Sequence, residues 1–331
     1  MTLPPLADIL ASTRTVALPL ATPFRGISVR EATLFEGPEG WTEFSPFIEY
    51  DDVESAAWLA AAIDFGWMPQ PKALRHEIAV NATIPAVSAI GATEILARFD
   101  GCRTAKVKVA EPGQTLVDDV ERVRAVRGEM GSEGRIRIDA NGGWNVDEAE
   151  HAIHALAEFD LEYVEQPCMS VEELAEIRRR VKYMGIPIAA DESVRKATDP
   201  IAVARAGAAD LLVVKAQPLG GVHRALEIIA EAGLPAVVSS ALDTSIGLSM
   251  GATLAASLEQ LDYDCGLGTA ALFTSDIASP TLVPSNGVLT VGRIAPDPAL
   301  LSANAATSER VAWWRERITR CHALLSSGVT E

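Results

Sequence analysis

The sequence predicts an α/β protein in which a closed (β/α) barrel carries a small α+β capping domain. From about residue 76, short β-branched runs alternate with longer amphipathic stretches, and eight such runs precede residue 267. Eight strands are what a closed barrel needs. Single helices between strands imply parallel pairing, because parallel strands require a crossover connection. An open doubly wound sheet is the alternative, but no Gly-x-Gly-x-x-Gly follows the first run, so the barrel is favoured.

The barrel elements follow from local patterns. Strands are predicted at Glu77–Ile84, Ala105–Val109, Arg135–Asp139, Leu161–Glu165, Ile186–Ala190, Leu211–Lys215, Ala236–Ser240 and Leu261–Gly266. Helices are predicted at Thr115–Met130, Val146–Phe159, Ser170–Met184 and Val222–Ala232. Leu116, Val120 and Val123 recur at spacings of four and three, which is typical of a helix with one apolar face. Asp147 and Ser170 are predicted to cap the helices that begin beside them.

The two ends of the chain have a different pattern from the barrel. We expect residues 1–75 to form an N-terminal α+β capping domain, residues 76–280 the barrel, and residues 281–331 a C-terminal tail that completes the cap. Short antiparallel strands are predicted at Val16–Leu18, Val29–Phe35 and Trp41–Phe44, with helices near Val53–Phe65 and Ser308–Leu325. An Asn286-Gly287 turn signal predicts a hairpin between Thr281–Pro284 and Val288–Val291.

Composition limits the partners. The net charge of −17 repels nucleic acid and anionic membranes, and no run of 18 apolar residues is present. The apolar stretch Ile246–Leu258 is interpreted as a buried helix. The four cysteines show no CxxC pairing, and the N-terminus lacks a signal-peptide pattern, so a cytoplasmic location is expected. A small molecule is the expected partner, and both a monomer and a small homo-oligomer fit.

Charged residues end four of the apolar strand candidates. Asp139, Glu165 and Asp191 are spaced 26 residues apart, and Lys215 follows after 24 more, about one βα unit each. Barrel active sites lie at these C-terminal strand ends. Three converging carboxylates repel each other unless a cation joins them, and an all-oxygen ligand set suits Mg²⁺. The alternative is that each acid is a helix cap or a surface-loop residue.

Two lysines on one strand give a second signal. Lys106 and Lys108 are two residues apart, so their side chains project to the same face about 6.7 Å apart. Two ammonium groups in one barrel mouth lower each other's pKa toward the range of about 7–8 that suits a general base. Lys215 lies four strands further round and faces this pair across the mouth. The alternative is a solvated edge strand whose lysines point outward.

The order of these motifs resembles the muconate-lactonizing subgroup of the enolase superfamily. The matching segments are Lys106-x-Lys108, Asp139-Ala-Asn141-Gly, Glu165-Gln-Pro167, Asp191-Glu-Ser193 and Lys215. The resemblance implies a modified (β/α)7β barrel, a TIM-like fold, with the three acids as ligands of a divalent metal, generally Mg²⁺. It also implies Lys108 as the acid/base lysine, Lys106 as its neighbour and Lys215 as the opposing lysine.

Further segments resemble a dehydratase family of menaquinone biosynthesis. They are Thr22–Gly26, Trp41–Phe47, Val80–Pro85 and Ser239–Asp243. This resemblance implies a hydro-lyase that converts 2-succinyl-6-hydroxy-2,4-cyclohexadiene-1-carboxylate, a small-molecule carboxylate, to 2-succinylbenzoate by syn-dehydration. The candidate substrate contacts are Arg25, Arg137, Asn141, Ser239, Ser240 and Gly266. For the serines and the glycine, ordinary turn chemistry is the alternative, and for Arg25 an exposed surface position.

Other functions remain open at this stage. The same lysines and acids serve an N-acylamino acid racemase or dipeptide epimerase, in which both lysines exchange protons with one stereocentre. Muconate cycloisomerisation is a further possibility, as is a catalytically silent barrel that acts as a scaffold. The set of buried charges disfavours the scaffold, since unused buried charges are costly. The five histidines, none of which ends a strand candidate, are interpreted as structural or surface residues: His76, His151, His154, His223 and His322.

Overall fold

The computed structural model describes residues 3–24, 26–195 and 200–328. The strands are β1 (Arg14–Phe24), β2 (Ile27–Gly37), β3 (Gly40–Phe44), β4 (Glu77–Ala79), β5 (Ala82–Ile84), β6 (Thr104–Lys108), β7 (Arg135–Asp139), β8 (Leu161–Glu165), β9 (Ile188–Ala190), β10 (Leu211–Val214), β11 (Ala236–Val238) and β12 (Val288–Thr290). The helices are α1 (Leu6–Ala11), α2 (Asp52–Trp67), α3 (Ala89–Leu96), α4 (Leu116–Met130), α5 (Val146–Leu156), α6 (Val171–Val181), α7 (Glu192–Arg195), α8 (Ala202–Arg205), α9 (Val222–Ala232), α10 (Ser245–Ser257), α11 (Pro298–Ala303) and α12 (Ser308–Ser327). Short 3₁₀ helices lie at Ala157–Phe159, Lys182–Met184 and Thr269–Leu272.

Strands β5 to β11 form one curled parallel sheet in chain order, and helices follow each of them. The ring is closed by two residues rather than by a full eighth strand. Cys265 bridges to Val80 and Gly266 bridges to Ser239, both in parallel. Seven β/α units and one closing β segment are the predicted (β/α)7β barrel, so the fold class is confirmed.

The predicted eighth strand, Leu261–Gly266, is wrong over most of its length. Only its last two residues join the sheet. Asp262 and Asp264 interrupt the run, and aspartate is depleted in strands. The Asp264 carboxylate instead accepts a hydrogen bond of 2.6 Å from the Thr104 hydroxyl, so it ties the start of β6 to the closing segment.

Helix boundaries follow capping chemistry. Ser170 caps α6 as predicted, and it forms a capping box with Glu173. The cap of α5 is Asn145, whose side chain accepts a 3.0 Å hydrogen bond from the backbone N–H of Glu148. The expectation that Asp147 caps this helix is therefore wrong. Asp147 lies inside the first turn, where its negative charge favours the helix N-terminus without capping it.

The cap is built from both ends of the chain. The antiparallel sheet β1-β2-β3 packs with α2 and α12 around a core separate from that of the barrel. Phe44 meets Trp314 edge to face, with ring centroids 5.7 Å apart, so β3 and α12 share this core. The predicted cap strands and both cap helices are confirmed, with β1 and β2 longer than expected.

The tail first returns to the base of the barrel. Asn286 and Gly287 form the predicted turn, with φ of 51° and 77°. The predicted first arm, Thr281–Pro284, is not a strand, and β12 pairs instead with β4. The barrel's first predicted strand is split into β4 and β5 because β4 turns away to make this pairing. The boundaries proposed at residues 75 and 280 remain predictions.

Helix α10 is the buried helix predicted for Ile246–Leu258. Eleven of its thirteen residues are buried, so its apolar character belongs to the barrel core. Among the residues that the structure describes, no helix combines the length and the apolarity needed to cross a bilayer.

Candidate active site

A small cavity lies at the C-terminal ends of the barrel strands, beneath the cap. Its lining residues come from both parts of the molecule: Phe24, Phe47, Thr83, Lys106, Lys108, Asn141, Asp191, Glu192, Lys215, Ser239, Ser240, Ala241, Leu242, Gly266 and Thr269. The barrel register explains this arrangement. Lys108 pairs across the sheet with Asp139, and Asp139 pairs with Glu165, so charges on neighbouring strands stand at one height.

Lys106 bridges two of the predicted metal ligands. Its Nζ lies 2.9 Å from Asp139 Oδ2 and 2.9 Å from Glu165 Oε1. Burial acts to lower the pKa of Lys106, but the charges of Asp139 and Glu165 outweigh it and raise that pKa well above the usual value. Lys106 is therefore a permanent cation beside the acids, which agrees with its predicted role as a neighbour of the base.

Lys108 has the opposite electrostatic character. Its Nζ donates to Asp139 Oδ2 and, at 2.7 Å, to Asn141 Oδ1. Burial, together with the positive charge of Lys106, lowers the pKa of Lys108 despite the nearby Asp139 carboxylate. The ring of Phe24 lies 5.7 Å from Nζ and shields it from water. A lysine with a lowered pKa at a cavity wall is suited to proton transfer.

Lys215 approaches the cavity from another wall of the barrel. It follows β10 and its Nζ forms an ion pair with Asp191 Oδ2. Both Lys108 and Lys215 line the same cavity. That the two amines face each other across a bound substrate remains a prediction.

Gln166 fixes the loop that carries Asp191. Its Oε1 accepts hydrogen bonds from the backbone N–H groups of Asp191 (2.8 Å) and Ser193 (3.2 Å). Its Nε2 donates to Ser193 Oγ at 2.7 Å. The glutamine after Glu165 therefore sets the position of the next acid around the rim, and this accounts physically for the Glu-Gln-Pro segment.

The three rim acids, Asp139, Glu165 and Asp191, have the chemistry of a hard-cation site. All three are buried, and Glu165 Oε2 has no hydrogen-bond partner among the residues that the structure describes. Burial, followed by the charge of Asp139, raises the pKa of Glu165 to about 8. Within the described ranges, however, no three Asp, Glu, His or Cys side chains are gathered closely enough to hold a metal. Lysine ammonium groups occupy the inward oxygens instead. The donor set fits a divalent cation that displaces them.

The predicted substrate contacts have mixed outcomes in the structure. Asn141 lines the cavity, and so do Ser239 and Ser240, which follow β11, and Gly266 of the closing segment. Ser240 Oγ donates to the Gly266 carbonyl at 2.8 Å, which joins the end of β11 to the closing segment. Arg25 lies outside the described residues.

Arg137 is not at the cavity, contrary to expectation. Its guanidinium is fully buried and bonds to Glu162 at 2.8 Å, to the Tyr163 hydroxyl at 3.0 Å and to the Asp264 carbonyl at 2.8 Å. The strand alternation correctly turns Arg137 inward. It lies two residues below Asp139, however, so it fills a deeper layer of the barrel.

The sequence interpretation missed several lining residues. Phe24 and Phe47 belong to cap segments that carried the resemblance, but nothing local shows that they face the barrel. Glu192 follows Asp191 directly, and its Oε1 accepts a 3.1 Å hydrogen bond from Asn141 Nδ2. Thr83 pairs with Lys106 across β5 and β6, a relation that a register argument from the strand candidates could have found.

The histidines stay away from the cavity, in agreement with their interpretation. His223 bonds to Asp64 at 2.6 Å, and His154 bonds to Tyr183 at 2.9 Å. In the part of the chain that the structure covers, none of the five lines the site.

Known proteins are similar to this chain in both fold and sequence. Residues 91–297 match the family model Enolase C-terminal domain-like, and residues 15–66 match Enolase N-terminal domain-like. The o-succinylbenzoate synthase of Mycolicibacterium smegmatis is 54% identical over 323 residues, covering 97% of this chain and 98% of that protein. The o-succinylbenzoate synthase of Mycobacterium ulcerans is 54% identical over 321 residues, covering 97% and 96%.

Solved structures agree at the level of the fold. Muconate lactonizing enzyme from Pseudomonas putida has a TM-score of 0.73 at 18% identity, covering 89% of this chain and 98% of that one. The L-Ala-D/L-Glu epimerase from Bacillus subtilis has a TM-score of 0.72 at 23% identity, covering 86% and 96%. At these identities the likeness shows the fold alone.

A capped (β/α) barrel with lysines and acids around one rim defines an acid/base enzyme. The chain belongs to the enolase superfamily and, within it, to the family of o-succinylbenzoate synthases. The resemblance predicted from the motifs is confirmed. Membership of this superfamily implies a divalent metal ion and a small-molecule substrate.

Proposed function

We propose that this protein is a hydro-lyase that converts 2-succinyl-6-hydroxy-2,4-cyclohexadiene-1-carboxylate to 2-succinylbenzoate in menaquinone biosynthesis. One observation carries the chemistry: a buried lysine with a lowered pKa and a second lysine border one cavity beside three carboxylates. The identity of 54% to named o-succinylbenzoate synthases selects the substrate.

Asp139, Glu165 and Asp191 would hold the metal, which we propose to be Mg²⁺ because their ligands are all hard oxygens. A bound Mg²⁺ supplies positive charge beside the substrate carboxylate and so makes the adjacent C–H more acidic. The unpartnered Glu165 Oε2 and its raised pKa support this assignment. Lys106 would remain beside the acids as a fixed positive charge.

Lys108 would perform both proton transfers. In its neutral form, its Nζ takes the proton from the carbon that bears the carboxylate. The ammonium so formed then donates a proton to the hydroxyl group that leaves from the same face. One C–H and one C–O bond break, a C=C bond forms, and water departs. A single lysine serves both steps because a syn elimination places both groups on one face.

Lys215 would act from the other side of the substrate. Its ammonium group places a positive charge near the anion that develops when the proton is removed, without itself transferring a proton. Asn141 holds the Lys108 ammonium at 2.7 Å, and Glu192 holds Asn141 in turn, so the base enters the reaction already oriented.

The decisive experiment is a spectrophotometric assay on the cyclohexadiene substrate with and without Mg²⁺. Formation of the aromatic product at an enzymatic rate is expected only with the metal. No product above the uncatalysed rate, from folded and metal-loaded protein, would refute the proposal.

A racemase or epimerase function is the second candidate, and the two lysines that border the cavity favour it. In that case Lys108 and Lys215 would each exchange a proton with one stereocentre. Deuterium incorporation from D₂O into an N-acylamino acid, without dehydration of the cyclohexadiene, would select this function. The same protein can also show both activities, which the two assays together would reveal.

We propose the cellular location and the oligomeric state of the protein in less detail. The four cysteines are free thiols, which suits a reducing cytoplasm. A monomer or a small homo-oligomer is compatible with the site, since every proposed catalytic residue comes from one chain.

A further inference from the structure

The cap and the barrel meet at a buried polar seam beside the cavity. We use the word seam for these residues: Arg30, Glu43, Ser45, Asp243 and Thr244. Arg30, on β2, is only 2% exposed although it carries a charge. A buried guanidinium is costly unless its donors are satisfied, so its partners indicate what it holds in place.

Arg30 contacts both halves of the molecule at once. Its Nη2 donates to the Ser45 carbonyl in the cap. Its Nε donates to the Leu242 carbonyl at 3.1 Å, and Nη2 reaches the Ala241 carbonyl at 3.3 Å, both in the turn after β11 of the barrel. The guanidinium also lies 4.2 Å from the centre of the Phe47 ring.

Three of these contacts are to residues that line the cavity. Phe47, Ala241 and Leu242 form part of its wall, whereas Arg30 itself does not line it. Leu242 has a φ of 64°, a left-handed conformation that a branched side chain rarely adopts. Such a conformation persists only where surrounding contacts hold it, and the Arg30 hydrogen bond to the Leu242 carbonyl is one of them.

The seam also places two buried acids near Arg30. Glu43 and Asp243 are both buried, and the positive charge of Arg30 acts to lower the pKa of each, against the larger effect of burial. Lysine is a poor replacement at this position, because only a planar guanidinium can stack on a ring while it donates in several directions.

We propose that Arg30 is a positioning residue that fixes Phe47 and the Ala241–Leu242 turn as the cavity wall against which the substrate ring lies. This inference adds a positioning residue to the proposed function and rests on that function. The distance from the substrate to Lys108 is then set partly by a cap residue that touches no substrate atom. Loss of Arg30 loosens the wall and weakens substrate binding, while the proton-transfer groups stay in place.

The test compares Arg30→Lys with a matched control, Arg293→Lys. Arg293 also stacks on a phenylalanine, 4.1 Å from the Phe65 ring, and donates to the Phe65 carbonyl at 2.5 Å, but it lies away from the cavity. Arg30→Lys is expected to raise KM at least about tenfold, with a smaller change in kcat and no change in Mg²⁺ affinity. The control is expected to keep the parent KM.

Hydrogen exchange supplies a readout that needs no substrate. In full-length Arg30→Lys, the amides of residues 45–47 and of 241–242 should exchange faster than in the parent, while those of β12 and β4 should not change. If Arg30→Lys does not fold, Arg30→Gln provides the same comparison, since it keeps a planar donor and removes the charge.

The outcomes separate the two proposals. Unchanged exchange in both segments, or a parent-like KM in the folded variant, overturns the role of Arg30. An equal rise of KM in the Arg293 control overturns it as well, since the effect would then be general. A parent protein that binds Mg²⁺ but forms no product refutes the proposed function, and the exchange result still decides whether Arg30 holds the wall.

Discussion

Two sets of buried carboxylates lie at the top of the barrel and are neutralised in different ways. The rim acids are met by the ammonium groups of lysines that border the cavity. In the seam, Glu43 accepts hydrogen bonds from the Thr244 hydroxyl at 2.6 Å and from the Gly247 N–H at 2.9 Å, at the start of α10. A lysine side chain has several bonds about which it can turn aside for an arriving cation, whereas the backbone holds the N–H groups of a helix in place. We therefore expect the rim acids to exchange their partners and Glu43 to keep its own.

The largest expected effect is at the rim. Lys108→Ala should reduce kcat by about 10⁴-fold, the upper range for a lost general acid/base. Mg²⁺ affinity, measured by calorimetry, should stay near the parent value. Lys182→Ala, at an exposed lysine, is the control and should keep parent activity. Retention of most activity by Lys108→Ala would remove the assigned base.

The opposing lysine should matter by electrostatics rather than by proton transfer. Lys215→Ala is expected to lower kcat by about 10²–10³-fold, as for loss of one charge-stabilising donor. In D₂O, Lys108 alone should still exchange the substrate α-proton, slowly, in this variant. An unchanged kcat would show that the anion does not develop near Lys215.

Metal affinity distinguishes the rim from the seam. Glu165→Gln should weaken Mg²⁺ binding at least about tenfold, because even outer-shell partners of a metal change affinity by 10- to 100-fold. Asp147→Asn, at an exposed acid paired with Arg180, serves as the control and should bind as the parent does. Equal Mg²⁺ affinity in Glu165→Gln and the parent would contradict the ligand assignment.

A substitution in the seam should change the stability of the protein rather than its affinity for the metal. Glu43→Gln replaces an acceptor of several hydrogen bonds by an amide, so it should lower the free energy of unfolding by about 1–3 kcal/mol. Urea denaturation measures this loss, and calorimetry should find Mg²⁺ affinity unchanged. A variant as stable as the parent would show that the seam tolerates a neutral side chain.

A further expected effect is a pH dependence of stability from Asp243. Burial and the charge of Glu43 raise the pKa of Asp243 to about 7, and among the described residues its Oδ1 has no hydrogen-bond partner. The folded state thus holds a proton that the unfolded state releases above about pH 4, so this contribution to stability falls as the pH rises from about 4 to 7. Asp243→Asn should flatten that fall in urea titrations at several pH values. If Asp243→Asn had the same pH profile of stability as the parent, another group would be the one that titrates.

The sequence predicted the features that depend on neighbouring residues. A charge at the end of an apolar run is visible locally, so the rim acids and lysines were found, and alternation along β6 correctly turned Lys106 and Lys108 inward. The depth of a side chain in the barrel and the contacts between distant segments of the chain were not predictable in this way. Arg137 was assigned to the cavity from the family resemblance, and a resemblance of motifs does not show in which layer of the barrel a side chain lies. Arg30 meets Leu242 across 212 positions of sequence, and no local pattern encodes that contact.

The C-terminal helix has a consequence for how the pocket is supported. Arg317, on the 20-residue helix α12, donates to the Phe47 carbonyl at 3.1 Å, so a helix of the cap supports a residue of the cavity wall. A variant that lacks α12 would keep every proposed catalytic residue and still lose a contact that holds Phe47 in place.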